Sequence, residues 1–276
     1  MHGAAMPETR PGARPVRAWQ RHSRSERLAR LMLTLTVVAA VLASVRSVEV
    51  IPEFLIDAPE QVQDLLVRMW PINVGFYPSG VHDALVDTLH IATLGTLIAV
   101  ALALPVGVLS ARNLIRSRLI NLAARLILVA TRSVNSLIWA LLFVAIFGPG
   151  ALAGTLAIAC RSIGFVGKLI GEALEEADPG PVEALHAAGA PWLSVLSQGY
   201  WPQLAPTFWS VLLLRWDINI RESSVLGLVG AGGVGMALDT ALNLFQWTRV
   251  SLILLSIFVI VILAEIIVTQ IRKRIL

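Results

Sequence analysis

The 276-residue chain is 56% hydrophobic and only 14% charged, with a mean hydropathy of +0.74. That excludes an ordinary soluble domain, in which about a quarter of residues are charged. The net charge of +4 has its densest basic stretch at the chain start, which fits a membrane flank better than a nucleic-acid surface, and a single cysteine, Cys160, excludes an intrachain disulfide and the usual cysteine-rich zinc sites.

Seven arginines, Arg10, Arg14, Arg17, Arg21, Arg24, Arg27 and Arg30, occupy residues 1–30, read as a basic cytoplasmic segment. A first span over residues 31–48 follows. Its strongest part, Leu31 to Val45, also has the look of a secretory signal, but the long leader and the later spans favour an uncleaved anchor. Residues 49–82 are more polar and read as an outside loop with a short amphipathic helix near Val62 to Trp70. A second span over residues 86–110 carries Pro105, expected to kink its inner end. Arg112, Arg116 and Arg118 mark the next connection as inside.

Ser133 to Cys160 is uncharged but too short for two full spans, and Gly148-Pro149-Gly150 is a turn signal. Borrowing from both sides gives span three over residues 119–147 and span four over 151–170. Arg125 then lies near the inner interface, while Arg132 and Arg161 lie deeper and should face protein or water. Residues 171–203 are too polar to span. Spans five (205–228) and six (249–270) follow, and Arg272, Lys273 and Arg274 close the chain. The expected fold is an all-α polytopic membrane protein with about six transmembrane helices and both termini cytoplasmic.

The segment from Glu172 to Pro202 reads as two short helical pieces. Asp178 is placed to cap the second, and Gly189 to end or bend it. Taken alone it fits an ordinary surface linker as well as an element that transmits force from a soluble partner. Its pattern resembles the cytoplasmic loop of ABC importer permeases, E-A-A, three residues, G, nine residues, I-x-L-P. Glu183, Ala184, Gly189 and Pro202 match, Leu185 replaces the second alanine, and Gly199 and Trp201 depart from the usual Ile and Leu. Further resemblance runs through Thr88-Leu89 to Leu104-Pro105-Val106-Gly107 and Arg132-Ser133-Val134-Asn135, and the stretches Glu172 to Ala184 and Arg215 to Arg221 look most like the phosphonate permeases of the methionine-permease-like (type I) family.

The resemblance implies a permease core over residues 83–276, with a coupling loop at 171–203 in which Glu183, Ala184, Leu185, Gly189 and Pro202 engage the ATPase. It also implies a second copy of the permease, two ABC ATPase subunits that hold ATP and Mg²⁺, and a periplasmic or lipid-anchored phosphonate-binding protein. No cofactor is expected on this chain and no nucleic-acid partner.

Span five carries Arg215, Asp217, Asn219, Arg221 and Glu222. Charges in lipid are expensive, so these side chains must pair, snorkel or face water. Arg215 with Asn219 and Asp217 with Arg221 stand four apart and would form one polar seam. The seam fits either a charge-balanced brace or a path for an anion. Gly227 to Gly235 then holds five glycines in nine residues but lacks the GK[ST] ending of a phosphate-binding loop. By the same resemblance, Gly230, Gly232, Gly233 and Gly235 lie near the external gate, with close packing between subunits as the physical reason. The implied activity is ATP-coupled import of phosphonate, or of phosphite, phosphate or another small solute. An ion-coupled secondary transporter and a structural membrane protein are the rivals, and the glutamate–alanine loop is unexplained by the first.

Overall fold

The computed structural model describes residues 24–48, 52–115 and 117–275. Arg10, Arg14, Arg17, Arg21 and Arg116 therefore lie outside the described residues. The chain divides into two compact units, Met1–Val62 and Gln63–Leu276. In the first, α1 (Arg24–Ser47) begins seven residues before the predicted span, because the polar residues ahead of Leu31 include good helix formers. Thr34 and Thr36 return their hydroxyls to carbonyls of the preceding turn, which satisfies them without water. α2 (Pro52–Arg68) crosses the boundary between the units. It is longer than the helix predicted near Val62 and contains Pro59.

The second unit holds the helix bundle. α3 (His82–Ser110) runs without interruption through Pro105. α4 (Arg118–Ser133) and α5 (Ser136–Phe147) replace the single span predicted over 119–147, and they meet at 88°. The break has a local cause. Val134 and Asn135 are extended, and the Asn135 side chain accepts a hydrogen bond from Leu137 N at 3.1 Å, which starts a new helix there. α6 (Ala151–Glu175), α7 (Pro179–Ala187) and a single turn, α8 (Trp192–Ser194), follow. A π-helical stretch, Val195–Tyr200, leads into α9 (Trp201–Leu226). α10 (Val234–Asn243), after the glycine run, was not predicted, and α11 (Trp247–Ile275) ends the described chain. Among the described residues, four helices are long and apolar enough to cross a membrane, or up to six crossings if each bent pair counts as one.

α3 and α6 form the centre of the bundle. Their contact is made by small residues: a Cβ on Gly107 would stand 2.9 Å from Gly167 O, and one on Gly95 2.7 Å from the Ile158 side chain. Small residues let helix backbones approach where no hydrophobic driving force exists between apolar surfaces in lipid. Successive apolar clusters run along this axis. Val81, Leu85, Val250 and Ile253 lie together at one end, Ala92, Ile220 and Ala264 in the middle, and Ala103, Ile170, Val182 and Leu204 at the other. α11 thus runs parallel to α3, so the end of α11, the end of α3 and the loop around α7 share one end of the bundle. The basic-residue pattern likewise put the ends of α3 and α11 on one side.

Candidate functional site

The loop end is built on an apolar plug. Val182 of α7 is buried and Leu185 half-buried, packed with Val166, Ile170, Leu174 and Tyr200. Asp178 caps α7 as expected, accepting from Gly180 N at 2.9 Å. Gly189 stops it at φ +72°, a left-handed geometry that disfavours side chains, with Ala190 N bonded to Leu185 O at 3.0 Å. Gln203, not singled out in the sequence, ties the loop to α9. Its Oε1 accepts from Asp178 N at 2.8 Å and its Nε2 donates to Gly199 O at 2.8 Å. Gly199 departs from the motif for a visible reason: a Cβ there would press Leu185 and Val182 at 3.3 Å each. Glu183, Ala184, Gly189 and Pro202 are exposed, as are Trp192 and Leu193 on the turn that follows.

Halfway along α9 the structure gathers the charged residues of span five into a network with α3, α5 and α6. Asp217 and Arg221 are ion-paired, as their spacing predicted. Arg215 and Asn219 are not bonded to each other; both reach Ser162 of α6 instead. Arg215 Nε donates to Ser162 Oγ at 2.8 Å, and Ser162 donates to Asn219 Oδ1 at 3.3 Å. Asn219 Nδ2 donates onward to Thr96 of α3 at 2.7 Å. Arg215, 3% exposed, pairs with Glu222 at 3.2 Å, and Arg161 of α6 pairs with the other oxygen of Glu222 at 2.6 Å. Arg161 also reaches Ser136 at the start of α5. One carboxylate is therefore held by two guanidiniums, and the start of α5 is tied to α6 and α9 through them. Asp217 Oδ1 is buried and has no partner among the described residues.

Arg161 and Ser162 were missed as site residues, although Arg161 was marked as too deep to face lipid. The available signal was an arginine followed by a serine in an otherwise apolar segment. Thr96 gave a weaker one, a polar residue on the small-residue face of α3. In formal charge the network sets three arginines against two carboxylates.

The glycine run makes close approaches within the chain. Gly150 N donates to Gly230 O at 2.9 Å, and Val234 N donates to Thr88 Oγ1 at 2.8 Å. Gly232 adopts φ +86°, and a Cβ there would stand only 2.7 Å from Ala151 N. A side chain at Gly235 would collide with Ser224 O. The run thus clasps the end of α9 to the turn that starts α6.

A multi-pass helical bundle with this order of elements is the fold of type I ABC importer permeases, membrane subunits that are not themselves catalysts. The chain belongs to the family of binding-protein-dependent transport system inner membrane components, whose model matches residues 103–276. It is 44% identical over 220 residues to the phosphite transport system permease protein PtxC of Stutzerimonas stutzeri, covering 80% of each chain. It is 37% identical over 249 residues to the phosphate-import permease protein PhnE of Mycolicibacterium smegmatis, covering 90% of this chain but 47% of that protein. Among solved structures, the inward-facing MetNI methionine ABC transporter matches with a TM-score of 0.61 at 20% identity, over 71% of this chain and 96% of that one. That likeness concerns the fold alone.

Proposed function

We propose that this chain forms, as a homodimer, the membrane pathway of an ABC importer for phosphonate. The observation that carries the reading is the surplus of guanidinium in the mid-span network. An uncompensated charge at membrane depth is expensive unless it meets a counter-charge or water, and a passing oxyanion supplies one. Arg161 and Arg221 keep part of their surface open, whereas Arg215 is buried, so the first two are the side chains an anion meets. Guanidinium suits a tetrahedral oxyanion because its planar fork gives paired hydrogen bonds. The contact need not be tight, since a separate binding protein outside the membrane captures the solute.

The remaining parts fit alternating access. Two ATPase subunits, holding ATP and Mg²⁺, dock on the exposed face of α7 through Glu183, Ala184 and Gly189, at the cytoplasmic end together with both termini. Their closure moves α7, and Val182 and Leu185 carry that motion into α6 and α9. Gly230, Gly232, Gly233 and Gly235 hold the opposite, external gate. A second reading keeps the architecture and makes phosphite the substrate; the 44% identity to a phosphite permease favours it.

The test is uptake into vesicles containing the permease, its ATPase and its binding protein. ATP-dependent entry of a labelled alkylphosphonate, out-competed by unlabelled phosphonate and not by methionine, is the expected result. Preferential uptake of phosphite moves the assignment to the second reading. Transport by this chain alone on an ion gradient overturns both.

A further inference from the structure

A second charged feature lies at the end of the bundle that holds the α7 loop, apart from the mid-span network. Arg112, Ile115, Arg118, Asn121, Leu122 and Arg125 line a cavity of about 580 Å³ between the end of α3 and the start of α4. Three arginines line one concavity, and they are not equivalent. Arg125 is fixed in the wall: its Nε and Nη2 donate to Ser110 O at 3.2 and 3.1 Å, and Nη2 also donates to Glu175 at 2.6 Å. Glu175 is further engaged by Arg112 N at 2.7 Å, so its charge is spent on the wall. The guanidiniums of Arg112 and Arg118 have no hydrogen bond or ion pair among the described residues. Nothing in the bundle needs them, and they stand beside the one anchored cation. Next to them on α4, Leu119, Leu122 and Leu126 present exposed apolar surface, 80% exposed at Leu119. Since α3 spans the membrane and ends at Ser110, the cavity sits at a membrane–water boundary.

The geometry points to a binding site in this cavity for the phosphate group of an anionic phospholipid. Guanidiniums bind phosphate through paired hydrogen bonds, basic pockets between spans accept anionic headgroups, and the leucines of α4 offer a track for the acyl chains. An acidic protein surface would satisfy the arginines but leave that apolar track uncovered. The site is independent of what the importer carries.

The assembled importer, purified in nanodiscs of phosphatidylcholine with added phosphatidylglycerol, tests the assignment by native mass spectrometry. The variant combines Arg112→Gln and Arg118→Gln, which remove no bond of the described fold. A control combines Lys273→Gln and Arg274→Gln, removing two charges elsewhere at the same end. Retention of phosphatidylglycerol about thirtyfold weaker in the first variant, from two neutralised cations, with the control unchanged, is the expected result. Equal retention in all three proteins overturns the site, and equal loss in both variants replaces it with diffuse attraction. Displacement of the lipid by inorganic phosphate makes it a free-anion site instead. Loss of the ATPase subunits from the first variant with lipid retained makes the cavity a protein contact, which also overturns the proposal.

Discussion

At the loop end, α7 is seated by Val182 and Leu185 in an apolar cluster, and its polar anchors, Asp178 and Gln203, lie at the rim. At mid-span, the same bundle is joined through Arg215, Glu222 and Arg161, with Ser162 and Asn219 bridging α3, α6 and α9. The first arrangement gains free energy from each buried methyl group separately, so it weakens by degrees. The second is collective, because each charged member is tolerable only while its partners remain. A bundle that must move can accept the first kind of contact at its driven end. It needs the second kind where the helices have to stay in register.

Substitutions can break that contrast. The largest effect is expected from Glu222→Gln, which leaves two guanidiniums without their shared carboxylate. A loss of about 3–5 kcal/mol should appear as a collapse of folded, detergent-soluble protein. If Glu222→Gln instead unfolds like wild type, the network is not collective. Val182→Ala comes next, at about 2 kcal/mol for two buried methyl groups and the space they leave. Its expected signature is functional: ATP hydrolysis by the assembled complex continues while solute uptake falls. Asp178→Ala removes the α7 cap and should cost about 1 kcal/mol, read as a lower thermal midpoint with uptake reduced less than by Val182→Ala. Arg221→Gln is read in uptake rather than stability: its guanidinium is half exposed, but its partner Asp217 is buried, so the substitution also leaves that carboxylate unpaired. On the proposed pathway its uptake should fall severalfold, and unchanged uptake would reduce Arg221 to a brace for Asp217.

The same contrast explains what could be read from the sequence. The Asp178 cap and the Gly189 stop depend on neighbours a few residues away, and the structure has both where the pattern put them. The Asp217–Arg221 pair is likewise local. Arg215 and Asn219 are joined through Ser162 rather than directly, and that partner comes from a helix more than fifty residues earlier. No periodicity within span five could reveal it. The break between α4 and α5 was hidden for another reason. Val134 and Asn135 sit inside a stretch without charge, where hydropathy reports a continuous span although the backbone turns. The asparagine was the visible clue, and it was read as part of a family pattern rather than as a cap.

That break bears on how the chain is made. α5 has 12 residues and is about 18 Å long, and α4 has 16 residues and reaches about 24 Å. Neither alone matches a hydrocarbon layer of about 30 Å, and the chain bends by 88° between them. During synthesis, then, this stretch has no stable resting place in the bilayer on its own. Arg161 of α6 donates to Ser136 at the elbow, so the arrival of α6 is expected to seat the stretch. A cysteine introduced in residues 118–147, with Cys160 replaced, should react with a water-soluble thiol label in nascent chains long enough to expose residues 118–147 but not α6, and should be protected once α6 has also left the ribosome; equal labelling at both lengths overturns the idea.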